Sequence, residues 1–219
     1  MWYTVIKFAA VSVIAYLLGN FNSAIFISKL KRNDIRKLGS GNPGTMNMFR
    51  NFGKLIGVLT LILDALKGAV PCLIGWFVCG EPWSFGADKI GLYVGALCVI
   101  VGHIFPVFYK FHGGKGIASS VGVCLVINWW ATLISFTVGA LFLIFFHIGS
   151  ITSFIIISFP IALNVFSLSA TGGNTACLVL LFALFCLTLF AHRKNVLKLY
   201  GGNEGRVILF GKHKKRKTN

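Results

Sequence analysis

Residues 102–119 read GHIFPVFYKFHGGKGIAS, a basic, glycine-dense segment lying where one apolar span ends and the next begins. Gly113, Gly114 and Gly116 around Lys115 leave backbone N–H groups free to point at an anion, and the lysine supplies the charge. A second loop of the same character, LGSGNPGTMNMFR, occupies 38–50 and offers Ser40, Gly41, Asn42, Gly44, Asn47 and finally Arg50. Two phosphate-sized cradles on the rim of a membrane protein point to an enzyme or carrier handling a phosphorylated substrate at the bilayer surface.

Neither loop fits the familiar nucleotide cradles. Gly39, Gly41 and Gly44 satisfy G-x-G-x-x-G, with Asp64 lying 20 residues past Gly44, but that fingerprint needs a strand before it and a βαβ unit around it. Apolar helical spans flank it here. The 113–116 stretch lacks the Walker pattern, because Gly116 stands where Ser or Thr belongs and Tyr109 where the first glycine belongs. A nucleoside triphosphatase is therefore disfavoured. An ordinary interhelical turn would also use such glycines. Repetition of the pattern in two loops, each ending in a cation, argues for anion binding instead.

Other polar residues fall at span ends or inside spans. His103 stands twelve residues before Lys115, at the membrane face, and is either a hydrogen-bonded structural histidine or a base. Asp64 and Lys67 lie three apart within one span, a spacing that pairs them on one helix face. Charge inside a span is costly and turns towards the bundle interior, so structural ion pairing is favoured over substrate contact. Ser150 opens a serine-bearing turn. His192 and Asn195 share a helical face at the mouth of the last span, placed either to hydrogen-bond a polar head group or to satisfy the helix end. Glu204, alone among basic residues, reads as a tether for the tail. Cys72, Cys79, Cys98, Cys124, Cys177 and Cys186 lie in or beside apolar spans, with no C-x-x-C pair and no histidine at ligand spacing, so neither a metal nor a cofactor is expected.

The elements that must position these groups are apolar helices. Of 219 residues, 56% are hydrophobic and only 12% charged, with mean hydropathy +0.81, where a soluble domain has about a quarter charged. Apolar runs cover 5–27, 55–79, 90–108, 117–130, 131–146, 151–169 and 176–191, room for roughly six or seven helices of about 20 residues. The run from 117 to 146 reads either as one long tilted helix or as two short ones turning at the aromatic Asn128-Trp129-Trp130 interface. Lys7 and its apolar sequel resemble a signal peptide, but the run is too long and no small-residue cleavage site closes it, so it is read as a retained helix.

Charge asymmetry orients the bundle. Net charge is +16, and seven basic residues lie between Ser28 and Lys54 and nine follow Ala191, whereas 79–88 holds Glu81 and Asp88 but no Lys or Arg. Basic residues concentrate in cytoplasmic loops. Parity then gives one domain, an all-α integral membrane bundle of about seven helices with its N-terminus outside, and a basic cytoplasmic tail at about 207–219. Turns centred on Ser40, Lys115 and Ser150, with the tail from His192, converge on the cytoplasmic face. The tail GKHKKRKTN needs no partner beyond anionic membrane lipid, so no nucleic acid is expected.

Five stretches together resemble one family, the bacterial acyl-phosphate:glycerol-3-phosphate acyltransferases (PlsY family). They are GSGNPGTMNMFR, LDALKG, GHIFPVFYKFHGGKGIA, the Gly149-Ser150-Ile151-Thr152-Ser153 turn and HRKNVLKLYGGNEGR. The resemblance implies a seven-helix inner-membrane enzyme with its site at the cytoplasmic face. It implies acyl transfer from acyl-phosphate to the 1-hydroxyl of glycerol-3-phosphate, giving lysophosphatidic acid and phosphate at the first step of phospholipid synthesis. No cofactor is implied, and the acyl-phosphate-producing enzyme is a candidate partner. By matching position, Ser40, Arg50, Lys115 and Ser150 surround the phosphates and reacting centre, and His192 and Asn195 hold glycerol-3-phosphate. His103 is then a candidate base, and Gly41, Asn42, Gly44, Asn47, Gly113, Gly114 and Gly116 shape the substrate cradles.

The chain also departs from that family's usual pattern. Gly19-Asn20-Phe21-Asn22 replaces Gly-Ser-Ile-Pro, Gly44-Thr45-Met46-Asn47 replaces Gly-Ala-Thr-Asn, Ile148 stands where Tyr is usual, and Lys54 where a second Arg is common. The first bears on helix-one packing and the last removes a bidentate phosphate ligand. The H-x-x-x-x-D pair of another glycerolipid acyltransferase class is absent, since no histidine precedes Asp34, Asp64 or Asp88 at that spacing. The competing class is a transporter for a phosphorylated solute. It would bring an inverted repeat and broken helices near the midplane, and the sequence shows neither.

The topology is tested by cysteine labelling. Labels at Ser84 and Thr171 are expected to react from outside, and labels at His112 and Lys214 only once the membrane is opened. Outside labelling at 112 would place the two glycine loops in opposite compartments.

Overall fold

The computed structural model describes residues 2–79, 89–205 and 207. Glu81, Ser84, Asp88, Arg206 and the basic tail apart from Val207 fall outside the described residues. The described chain is helical: α1 (Trp2–Asn20), α2 (Ser23–Leu30), α3 (Thr45–Phe52), α4 (Lys54–Cys79), α5 (Ile90–Ile104), α6 (Ile117–Ile127), α7 (Trp129–Phe146), α8 (Gly149–Ala170) and α9 (Thr175–Tyr200). Short 3-10 turns at Ile35–Lys37 and Val107–Tyr109 shape the first two loops. Among the described residues, six stretches are long and apolar enough to cross a bilayer: Trp2–Leu30, Lys54–Cys79, Ile90–Tyr109, Trp129–Phe146, Gly149–Ala170 and Thr175–Tyr200.

The seventh apolar helix, α6, has 11 residues and rises only about 16 Å, half of the roughly 30 Å hydrocarbon core. The 117–146 run is therefore two helices, and they divide at Asn128 rather than after Trp130. Asn128 is the reason: its Oδ1 accepts from Ala131 N at 3.2 Å and caps α7, while its own N–H donates to Cys124 O at 2.7 Å and closes α6.

The first span also breaks, at the residues that depart from Gly-Ser-Ile-Pro. Asn22 caps α2, its Oδ1 accepting from Ile25 N at 2.9 Å. Its Nδ2 donates to Pro43 O at 3.2 Å, and Asn20 Oδ1 accepts from Phe108 N at 3.4 Å. The two asparagines thus tie both glycine loops to one helix break. The packing that the departure brought into question is kept, by side-chain amides.

Polar groups face inwards. Asn20, Asn22, Ser23, Asp64, Lys67, His103, Ser119 and His192 are buried, whereas Leu55, Phe145, Phe166 and Phe182 stand exposed as a lipid-facing surface. Helices that cannot use apolar burial against one another approach closely through small residues. Gly68 lies against the Ser119 backbone, Gly122 against Ala65, and Gly75 against Gly91, none leaving room for a Cβ. These contacts lock α4 to α5 and α6. They also set Ser119 against a position well inside α4, so the loop that begins α6 is recessed into the bundle.

Gly122→Val drives a branched side chain into the α4 backbone and should cost about 1–3 kcal/mol. A thermal midpoint in detergent measures it against Gly201→Val, which adds the same bulk at an exposed site. Equal midpoints would contradict the close α4–α6 contact.

Candidate active site

Loop 105–116 folds back on the end of the helix that precedes it. Gly113 N donates to Ile104 O and Gly114 N to His103 O, each at 3.2 Å. Lys110 and Phe111 adopt left-handed backbone (φ 52° and 60°), and Gly116 (φ 83°) makes the turn into α6. Gly114 lies flush against the His103 ring and close to Pro43 O of the first loop, where any side chain would strike Nε2. From this loop Lys115 reaches across to α9, where its Nζ donates to Asn195 Oδ1 at 2.5 Å.

From Asn195 the polar chain continues to Glu204. Asn195 Nδ2 donates to Glu204 Oε1 at 3.4 Å, and Ser150 N, in the first turn of α8, donates to the same oxygen at 3.1 Å. Ser150 Oγ donates to Glu204 Oε2. Arg50 Nη2, from α3, donates to Gly205 O at 2.8 Å, and Val207 N donates to His147 O at 2.8 Å. Glu204, Gly205 and Val207 thus join α3, α8 and α9 with the α5–α6 loop at one end of the bundle.

The electrostatics favour an incoming anion. Burial pushes the Lys115 ammonium down to about 8; Glu204 opposes this, while Arg50 and Lys198 reinforce it. Burial also lowers the Arg50 guanidinium from its ordinary value, again opposed by Glu204. Two partly desolvated cations share one carboxylate, so a phosphate placed among them relieves both. The α8 N-terminus adds N–H groups to the same place.

Loop 39–44 stands beside this cluster. Ser40 is exposed, its Oγ accepting from Asn42 N at 3.4 Å, and Gly39 (φ 56°) and Gly41 (φ 70°) take the left-handed turns around it. Gly44 caps α3 without a side chain. Asn47 is buried, and its amide is committed to the loop itself. Its Oδ1 accepts from Ser40 N at 3.2 Å, and its Nδ2 donates to Leu38 O at 2.9 Å and Ile35 O at 3.2 Å. Asn47 shapes the cradle rather than lining it.

The structure brings Arg50, Lys115, Ser150 and Asn195 together, and sets Ser40, Gly41, Asn42 and Gly44 on the adjoining loop. His192 is only 1% exposed and packs against Phe154, ring centroids 5.2 Å apart. Its Nδ1 donates to Thr188 O at 2.9 Å, which in the neutral ring leaves Nε2 as an acceptor. His103 is not with the cluster. It lies behind Gly114, 3% exposed, with Nδ1 3.3 Å from Ser119 Oγ. Asp64 and Lys67 pair at 3.0 Å; Ser23 Oγ donates to Asp64 Oδ1 at 2.8 Å, and Lys67 donates to Phe21 O at 2.5 Å. That pair staples the α1–α2 break to α4. The residue whose importance the sequence understated is Glu204. It does tether the tail, but through the donors of the site itself, and its lone negative charge in a basic stretch was the one available signal.

Comparison with known proteins shows what the whole chain is similar to. The family model for glycerol-3-phosphate acyltransferase matches residues 9–202. A glycerol-3-phosphate acyltransferase of Endomicrobium trichonymphae is 34% identical over 204 residues, 91% of this chain and 96% of the relative. One from Paraburkholderia phytofirmans is 33% identical over 201 residues, covering 90% and 89%. Among solved structures, PlsY (YgiH), an integral membrane glycerol 3-phosphate acyltransferase in its glycerol 3-phosphate form, superposes with TM-score 0.78 at 34% identity, covering 93% of this chain and 96% of that one. Its lysophosphatidic acid form gives TM-score 0.76 at 33% identity.

Lys115 has a folded-state value near 8, so its charge is present below that pH and is lost as pH rises through it. Affinity for a phosphate monoester, followed by calorimetry in detergent, should therefore weaken across that range. Lys115→Arg should flatten the alkaline loss, and Lys115→Ala should weaken binding at least about tenfold at neutral pH, the loss of one charge-assisted contact. A flat wild-type profile would contradict the assignment.

Proposed function

The chain belongs to the glycerol-3-phosphate acyltransferase family, and from that premise we propose that its acyl donor is acyl-phosphate. On this reading it acylates the 1-hydroxyl of glycerol-3-phosphate and releases lysophosphatidic acid and inorganic phosphate. The observation that carries the proposal is the Lys115–Asn195–Glu204–Ser150 chain with Arg50 beside it, two cations and a helix N-terminus focused on one place. The glycerol 3-phosphate and lysophosphatidic acid forms of the solved relative PlsY support the acceptor and the acylated product, and the donor rests on the chemistry below.

An acyl-phosphate is a mixed anhydride whose phosphate is already a good leaving group. The protein must mainly gather two anions, offset their repulsion and stabilise an oxyanion. Lys115 and Arg50 supply charge, and Ser40, Ser150 and the loop N–H groups supply donors. Asn195 and the acceptor nitrogen of His192 hold the glycerol hydroxyls. The C1 hydroxyl oxygen attacks the acyl carbon, the tetrahedral oxyanion collapses, and the bond from acyl carbon to phosphate oxygen breaks. The hydroxyl proton passes to a phosphate oxygen of the donor. That route is preferred to His103, because Gly114 seals that ring from the open side. Transfer is direct; labelled donor trapped on Ser40 or Ser150 would overturn this step. The reacting face is cytoplasmic by the charge asymmetry, where an acyl-phosphate-producing enzyme has access to it.

Purified protein in detergent should release phosphate only when both acyl-phosphate and glycerol-3-phosphate are present. Release without the acceptor, or none with both, would defeat the donor assignment. Arg50→Lys keeps the charge but loses the planar fork, so KM for glycerol-3-phosphate should rise more than that for acyl-phosphate. A rise confined to acyl-phosphate would reverse the two pockets.

A further inference from the structure

Positive charge also concentrates outside the catalytic cluster. Lys29, Arg32, Asn33, Asp34, Lys37 and Leu38 line an open cleft of about 570 Å³ between the end of α2 and the 39–44 loop. Its one carboxylate is already engaged. Asp34 Oδ2 accepts from Arg36 Nη2 at 2.7 Å and Oδ1 from Arg36 Nε at 3.0 Å, and this guanidinium holds the Asp34 carboxyl down to about 2. Lys29, Arg32 and Lys37 have no ion pair among the described residues. They are also not on a loose loop. Arg32 N donates to Lys29 O and Asn33 N to Ser28 O, both at 2.9 Å, and Arg32 is held in the left-handed region at φ 55°. A non-glycine residue kept there marks a turn fixed by its surroundings.

Next to the cleft, α2 presents apolar side chains to the membrane. Phe26 is 46% and Leu30 69% exposed, and Phe21, 44% exposed, packs on Phe26 with ring centroids 5.4 Å apart. Lys29 and Leu30 follow Phe26 by three and four positions, so the three share one helix face. Cations at the head of a lipid-facing apolar strip match a molecule that has both a phosphate and acyl chains. A free phosphate would use the cations and leave the strip unused.

We propose that this cleft binds the phosphate headgroup of an anionic membrane phospholipid, whose acyl chains lie along Phe26 and Leu30. The site is separate from the catalytic cluster but coupled to it by position. Leu38, at its edge, accepts through its carbonyl from Gly41 N at 3.0 Å and Asn47 Nδ2 at 2.9 Å. An occupied cleft therefore braces the loop that bears Ser40.

The full-length protein in nanodiscs of phosphatidylcholine doped with phosphatidylglycerol, released for native mass spectrometry, tests this. Wild type should retain phosphatidylglycerol over phosphatidylcholine. The Lys29→Gln/Lys37→Gln variant should lose that retention by about tenfold or more, given the attraction of each basic residue for an anionic surface. Lys110→Gln/Lys194→Gln removes equal charge from exposed positions elsewhere and should retain lipid like wild type. Equal losses in both variants would mean diffuse surface attraction and overturn the proposal. So would displacement of the lipid by millimolar inorganic phosphate, which would show an anion site indifferent to acyl chains. If the double variant is unfolded by its thermal midpoint, Lys37→Gln alone must show a lipid-specific loss, or the proposal fails.

Discussion

The loop end of this bundle is organised by one carboxylate. Glu204 accepts from the backbone and hydroxyl of Ser150 and from Asn195, which in turn accepts from Lys115. Four separate segments meet there through these polar contacts, at the end of helices whose apolar faces share one core. A helix N-terminus and two cations would repel one another less in water than in this half-buried place, so an anion among them is a condition of the arrangement. Glu204 meets that condition in part. Because it is one charge against Lys115 and Arg50 together, the place still favours a phosphate.

The membrane explains why the chemistry gathers at that end. In hydrocarbon every backbone N–H and C=O must find an internal partner, so irregular chain is confined to the ends of helices or to places packed by protein. The 113–116 loop meets the requirement by donating to carbonyls of the helix it has just left. The 39–44 loop meets it through Asn47 and Asn22, whose amides satisfy carbonyls at Ile35, Leu38 and Pro43. The short α6 lets the first of these loops sit below the ends of the longer helices. A phosphate held there lies beside a lipid-facing surface, as an enzyme joining a polar acceptor to an acyl chain requires.

Much of this was legible in the sequence. Composition and charge gave a multi-span helical protein, and spacing gave the Asp64–Lys67 pair, because three-residue spacing on a helix leaves little geometric freedom. The two glycine loops stood out because glycine next to a cation has few purely structural uses. The division of 117–146 was harder to place, since aromatic residues at an interface do not say which neighbour caps the helix; Asn128 does so by its side chain. Asn47 read as a cradle residue and His103 as either a structural histidine or a base; in the fold the one is braced within its loop and the other covered, and a polar residue near a loop reads the same whether it faces inwards or outwards. Glu204 was underrated for a related reason. Its partners lie 54 and 9 residues away, and no local pattern predicts a contact at such separations. That the chain belongs to a known family came from the order of five motifs, and the face, donor and individual roles remain matters of chemistry.

The central claim is that these separate segments form one phosphate-binding place, and hydrogen exchange on the detergent-solubilised protein tests it most directly. Adding glycerol-3-phosphate should slow amide exchange together in 39–44, 113–116 and 149–151, with a common concentration dependence. Protection confined to one of these segments, or appearing at different concentrations in each, would contradict a single convergent site.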